Sequence, residues 1–154
     1  GVITPEVEAL RKKYALPGMR ILQFAFDRNP GNPYLPYNYD RDTVVYTGTH
    51  DNDTIRGWWN NLPEKERDFV RRYLSIDGNW IHWDLIRAAW SSTAALAMKP
   101  FQNILGLDSS GRMNRPGEKN GSWEWRFDWP QVESWHASYL AEMTEIYGRT
   151  YSGR

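Results

Sequence analysis

Met19 to Phe26 (MRILQFAF) is an almost unbroken apolar run rich in β-formers, the pattern of a strand buried on both faces in a parallel sheet. Thr43 to Gly48 (TVVYTG) repeats it in shorter form, and Ala94–Lys99 predicts a third strand. Helical signals lie between and around them. Thr4-Pro5 reads as an N-cap and first helical position, and Val7, Leu10 and Tyr14 recur at helical spacing until Pro17-Gly18. Ile55, Trp58 and Trp59 mark a second helix, and Pro63 opens a third carrying Phe69, Val70 and Tyr73. Ile81, Leu85, Ile86 and Trp90 mark a fourth; a last one is predicted from Pro130 to about Tyr147. Strands alternating with helices predict βαβ units, a parallel sheet and the α/β class. Three such strands leave both edges bare, so the expected architecture is part of a larger α/β fold.

Composition narrows the function. The 154 residues fit one domain. Nineteen basic against nineteen acidic side chains exclude a general nucleic-acid binder. A mean hydropathy of −0.74 without a long apolar run excludes a membrane-spanning helix. The lack of cysteine excludes a disulfide framework and a thiolate metal site. No apolar leader follows Gly1, nothing indicates secretion, and a cytoplasmic location is expected. A chain beginning with Gly rather than Met is expected to be a fragment or a processed product. Nine Trp, nine Tyr and five Phe exceed what a core of this size needs, so some rings are expected to face a ligand, with sugar rings one candidate.

The sharpest local signal is Tyr46-Thr-Gly-Thr-His-Asp-Asn-Asp-Thr54, polar groups placed where a buried strand runs out into a loop. In parallel α/β folds that strand end is where ligands bind. The competing explanation is a helix cap, with Asp51 or Asp53 accepting backbone N–H groups of the next helix. His82 and His136 lie inside helical patterns and read as packing or surface residues, so no metal site is expected. Trp123 and Trp125 read either as a sugar-stacking platform with Arg126 and Asn114 as donors, or as anchors of a long loop with the arginine on carbonyls; anchoring is the commoner fate. Phe24 and Phe26 fall on one side under strand counting, one as filler and the other as a ligand contact.

Several stretches together resemble the amylomaltase family, the 4-α-glucanotransferases also called disproportionating enzymes. They are Gly1 to Val7 (GVITPEV), Leu16 to Phe24 (LPGMRILQF), Asn32 to Pro36 (NPYLP), Tyr46 to Thr54, Arg112-Met113-Asn114 with Pro116-Gly117, and Trp123 to Arg126 (WEWR). The resemblance implies the C-terminal portion of a (β/α)₈ TIM barrel, with the three strands as its sixth, seventh and eighth. The whole chain, 1–154, is then a fragment of the barrel domain, since a complete barrel takes about 250 residues. It implies transfer of α-1,4-glucan segments between maltodextrins by a retaining double displacement, without metal or organic cofactor and without nucleic-acid or membrane partners. Oligomeric state is not implied.

By the same resemblance Asp51 is the carboxylate that holds the ring hydroxyls of the distorted sugar, and His50 is the neighbouring substrate-binding histidine. Phe24 or Phe26 is an aromatic contact of the acceptor sugars. The family's nucleophile and its acid/base Glu fall before Gly1, so this chain by itself is expected to be inactive. Tyr37, Asn103 and Ser122 stand where the family often has His, Asp and Asn. The alternative is a non-catalytic carbohydrate-binding module that stacks sugars on surface Trp and Tyr.

Overall fold

The computed structural model describes residues 3–150; Gly1 and Val2, which open the first matching stretch, and residues 151–154 lie outside the described residues. Three short strands, β1 (Gly18–Ile21), β2 (Thr43–Tyr46) and β3 (Leu96–Met98), form one parallel sheet in that order. The α/β class with a parallel sheet is therefore as expected.

The register divides the sheet into two unlike faces. Met19, Val44 and Leu96 form one row, and Ile21, Tyr46 and Met98 form the next row of the same face, because side chains two apart share a face. Every residue of this face has an apolar or aromatic side chain, yet Met19, Leu96 and Met98 are 50%, 51% and 42% exposed. On the opposite face Thr43 and Val45 are buried, and Val45 joins a core with Leu22, Ile55, Trp59, Val70 and Leu85. Helices thus cover one side of the sheet and leave the other bare.

The first strand is shorter than the apolar run predicts. It ends at Ile21, and Leu22–Phe24 winds into a 3-10 turn. Polar side chains take over the backbone groups there. Gln23 is buried and its Nε2 donates to the Asp53 carbonyl at 2.9 Å, while Asn32 Nδ2 donates to the Phe24 carbonyl at 2.8 Å. With Tyr39 Oη on the Tyr34 carbonyl (2.7 Å), these bonds order the aromatic, proline-rich stretch 27–42.

The described residues form six α-helices: α1 (Pro5–Lys13), α2 (Ile55–Asn61), α3 (Glu64–Leu74), α4 (Ile81–Trp90), α5 (Phe101–Ile104) and α6 (Ser134–Ile146). Thr4 caps α1 as expected, its Oγ1 accepting from Val7 N at 3.5 Å, but the stripe of Val7 and Leu10, with Tyr14 just beyond the helix, is exposed. Helices α2, α3 and α4 make the connection from β2 to β3. A second core of Trp83, Ile86, Trp90, Ile104 and Met143 joins α4, α5 and α6. The last helix starts at Ser134 rather than Pro130, because Pro130 sits in a separate 3-10 turn (Trp129–Gln131) closed by Asp128 N donating to Gln131 Oε1 at 2.8 Å. Among the described residues no helix is long and apolar enough to cross a membrane.

Bare strand edges and an apolar sheet face favour association. The 154-residue chain is expected to self-associate with rising concentration, and the combined substitution Met19→Thr, Leu96→Thr and Met98→Thr to raise its monomer fraction severalfold in light scattering. An unsubstituted chain that stays monomeric throughout would contradict this.

Candidate active site

The three strands point the same way, and a cavity of about 700 Å³ runs from the bare sheet face, at Met19, Ile21, Tyr46 and Met98, to the loops at their C-terminal ends. Phe24, Met98 and Trp123 supply apolar wall, and His50, Asp51 and Arg112 supply polar groups. A largely apolar concavity with a few convergent polar groups is the usual form of a small-molecule site.

The loop after β2 is fixed at both ends by one side chain. Asn103 of α5 is buried; its Nδ2 donates to Thr47 Oγ1 at 3.1 Å and its Oδ1 accepts from Ile55 N at 3.0 Å. Residues 48–54 are thereby held between β2 and the first residue of α2. Within the loop, Asn52 Oδ1 accepts from both Thr49 N and Thr49 Oγ1 at 2.9 Å. Gly48 has no room for a side chain, since a Cβ there would lie 2.6 Å from Gln23 Nε2.

The question of capping is resolved by the helix start. Thr54 is the N-cap of α2, its Oγ1 accepting from Gly57 N at 3.0 Å. Asp53 is structural as well: its Oδ1 accepts from Thr54 N (2.8 Å) and its Oδ2 from Ser109 Oγ (2.7 Å). Asp51 caps nothing. Its side chain is half exposed beside the cavity, with His50 Nε2 3.4 Å from Oδ1 and Asn114 Nδ2 donating to the same oxygen at 2.6 Å. His50 in turn lies against the Trp123 indole, ring centroids 4.9 Å apart.

Phe24 lines the Asp51 cavity and Phe26 does not, although both border a second cavity of about 490 Å³ beside Trp58. The chain has left the sheet by Leu22, and a 3-10 turn of about three residues replaces the two-residue strand period. Phe24 stays half exposed on the cavity wall, edge-on to Tyr34 at 5.5 Å. Phe26 is buried in the core against Trp58 (5.8 Å) and Tyr73 (5.7 Å), away from the Asp51 cavity. Trp123 lines the cavity and Trp125 does not, so the pair forms no common platform there. Arg126 Nη1 donates to the Trp123 and Trp125 carbonyls (3.3 and 2.8 Å), the anchoring arrangement.

At the rim, Lys99 sits over the Trp90 ring at 4.3 Å, and burial holds its ammonium below the ordinary lysine value. The remaining histidines are packing residues. His82 stacks on Trp80, and burial, reinforced by Arg56 and His136, pushes its imidazole down to about 4. His136 Nδ1 accepts from Glu133 N at 3.0 Å at the start of α6. Among the described residues no group of three His, Asp or Glu side chains is placed to hold a metal ion. The Asn103 tie and the Asn114 bond to Asp51 were not legible in the sequence. Their only signals were an amide within an apolar turn (FQNI) and the Arg112-Met-Asn motif.

A parallel α/β sheet that carries an acid and an imidazole at its C-terminal edge has the arrangement in which α/β folds bind ligands. Residues 1–132 match the family model described as 4-alpha-glucanotransferase, and the chain belongs to that family. It is 53% identical to the 4-alpha-glucanotransferase of Synechocystis sp. over 151 residues, 97% of this chain and 30% of that protein. It is 49% identical to the chloroplastic/amyloplastic 4-alpha-glucanotransferase of Arabidopsis thaliana, over 97% of this chain and 27% of that protein. Among solved structures, the amylomaltase from Streptococcus agalactiae in complex with acarbose superposes with a TM-score of 0.91 at 30% identity, covering 96% of this chain and 30% of that one. The chain thus spans less than a third of the length of the relatives it matches.

The loop anchorage has a direct test. Asn103→Leu strands the Ile55 N–H and the Thr47 hydroxyl in the core and is expected to cost about 2–4 kcal/mol in chemical unfolding. Asn103→Asp keeps acceptors for Ile55 N and for the Thr47 hydroxyl but buries a carboxyl group, so its loss is expected to shrink as pH falls and the group becomes neutral.

Proposed function

We propose that this chain is the C-terminal portion of a 4-α-glucanotransferase barrel and supplies its ring-hydroxyl-binding carboxylate, Asp51. In this reading β1, β2 and β3 are the sixth, seventh and eighth strands of a (β/α)₈ barrel, and residues 1–154 belong to that one domain. The observation that carries it is the position of Asp51: a carboxylate with no capping duty, half exposed at the C-terminal edge of a parallel sheet and beside a cavity. Barrel enzymes place their chemistry at that edge. The bare apolar face of Met19, Val44, Leu96, Ile21, Tyr46 and Met98 is the kind of surface that fills a barrel interior.

The substrate is an α-1,4-glucan. Retaining transfer on such a chain uses a carboxylate nucleophile and a carboxylic acid about 5–5.5 Å apart, and a sugar hydroxyl in place of water captures the glycosyl-enzyme. The resemblance assigns both groups to sequence before Gly1. Asp51 is the third carboxylate. It accepts hydrogen bonds from the ring hydroxyls, and its negative charge stabilises the oxocarbenium-like transition state. His50, at 3.4 Å from the same carboxylate, binds substrate beside it, and Phe24 offers an exposed ring to the acceptor sugars.

Two measurements test this reading. In the full-length protein that carries this chain, Asp51→Asn is expected to lower kcat about 10³-fold with KM within about 3-fold, the mark of an interaction made in the transition state. Unchanged turnover would remove Asp51 from the chemistry. The 154-residue chain incubated with maltotriose is expected to give no new maltodextrins by mass spectrometry, because protonation and covalent capture lack their groups. Glucose with longer chains would refute the assignment of those groups to other parts of the enzyme.

A further inference from the structure

The loop 112–123 lies beside the His50-Asp51 pair and bonds to both carbonyls and to one carboxylate oxygen. Arg112 Nη2 donates to the Asp51 carbonyl at 2.6 Å, and its Nε donates to the Asn114 carbonyl at 2.9 Å. The Asn114 backbone N–H donates to the His50 carbonyl at 3.1 Å. The Asn114 side chain donates to Asp51 Oδ1 at 2.6 Å. Trp123 closes the loop by donating its N–H to the Met113 carbonyl at 2.6 Å, and its ring covers His50. It does so at φ +64°, a conformation that bulky residues rarely adopt and that persists where surrounding contacts impose it.

These contacts divide the Asp51 carboxylate. The Asn114 group that faces the carboxylate is its NH₂, which donates. Asn114 Nδ2 and His50 Nε2 both address Oδ1. Among the described residues no protein donor reaches Oδ2. A half-exposed Asp without such a bond would turn about its side-chain torsions, and a catalytic group must hold one orientation to within about 10–20°.

We propose that Asn114 is a positioning residue: its amide fixes the rotation of the Asp51 carboxylate through Oδ1, so that Oδ2 is presented to the hydroxyls of the reacting glucose, while Arg112 holds the backbone beneath. This rests on the assignment of Asp51 as the ring-hydroxyl-binding carboxylate. Removing the Asn114 side chain leaves the backbone bond to His50 and both Arg112 bonds in place, so the loop stays closed and the carboxylate keeps only the longer contact to His50 Nε2 at 3.4 Å.

The experiment is steady-state kinetics on maltotriose as a function of pH, in the full-length protein, for Asp51→Asn, Asn114→Ala and Asn114→Asp. Asn114→Ala is expected to lower kcat about 10- to 100-fold with KM within about 3-fold, and with little change in melting temperature. Asn114→Asp keeps the shape but sets two carboxyl groups against each other, which must share a proton. Its kcat is expected to approach the unsubstituted value at acid pH, where the introduced carboxyl is protonated and donates. It should fall through a new descending limb as pH rises. A purely structural role for Asn114 would not produce that limb. Should Asp51→Asn abolish turnover while Asn114→Ala leaves kcat unchanged, or alters KM alone, the positioning role is overturned and the role of Asp51 stands. If Asp51→Asn retains full turnover, the assignment of Asp51 fails, and this inference fails with it.

Discussion

The buried carboxamide of Asn103 grips the loop between β2 and α2 at both ends, on Thr47 Oγ1 and on Ile55 N, and the placement of His50 and Asp51 follows from that grip. In the dry interior each of these bonds is stronger than in water, and an unmet donor or acceptor there is costly. The loop therefore cannot slide along the sheet or fray from the helix. Inside it, Asn52 fixes Thr49, and outside it Ser109 holds Asp53. Two residues are left with their side chains half exposed beside the cavity, His50 and Asp51. The two acids differ in what they touch: Asp53 has both carboxylate oxygens engaged by the fold, whereas Asp51 has one.

The sheet sets the direction in which that pair points. Parallel strands send all three C-terminal ends to one edge, and the register collects Met19, Ile21, Val44, Tyr46, Leu96 and Met98 on a single face. A face of that composition is stable only when another surface covers it. The proposed barrel supplies the cover, with the remaining strands closing the sheet on itself. The helices α2 to α4 already bury the other face through Val45, Ile55 and Leu85, so the two faces have different partners.

This explains which parts of the molecule were legible from sequence. Some helices carried their signals openly, Thr4-Pro5 as a cap and the Ile81, Leu85, Ile86 and Trp90 set as a buried stripe. The strands were identified in kind but not in length. An apolar run such as MRILQFAF cannot reveal that Gln23 will turn inward onto the Asp53 carbonyl and that Asn32 will take the Phe24 carbonyl. Those partners lie 30 and 8 residues away, and they convert the end of a strand into a 3-10 turn. The same turn separates Phe24 from Phe26. At the site, the polar cluster after β2 marked the location and the family resemblance singled out Asp51, while the structural duty of Asp53 needed Thr54 and Ser109. The role of Asn114 needed a contact spanning 63 residues. Local pattern locates a site; long-range bonds assign its residues.

The most direct test of the central claim, that Asp51 holds the hydroxyls of the reacting sugar, is a cycle between this side chain and the substrate. The kcat/KM of the full-length protein is compared for a maltotriosyl donor and for the same donor lacking the 3-hydroxyl on the reacting glucose, with Asp51 present and as Asp51→Asn. The account predicts that deleting the hydroxyl costs more than about 10-fold with Asp51 and much less without it, since the two groups interact only with each other present. An equal loss in both proteins would contradict it.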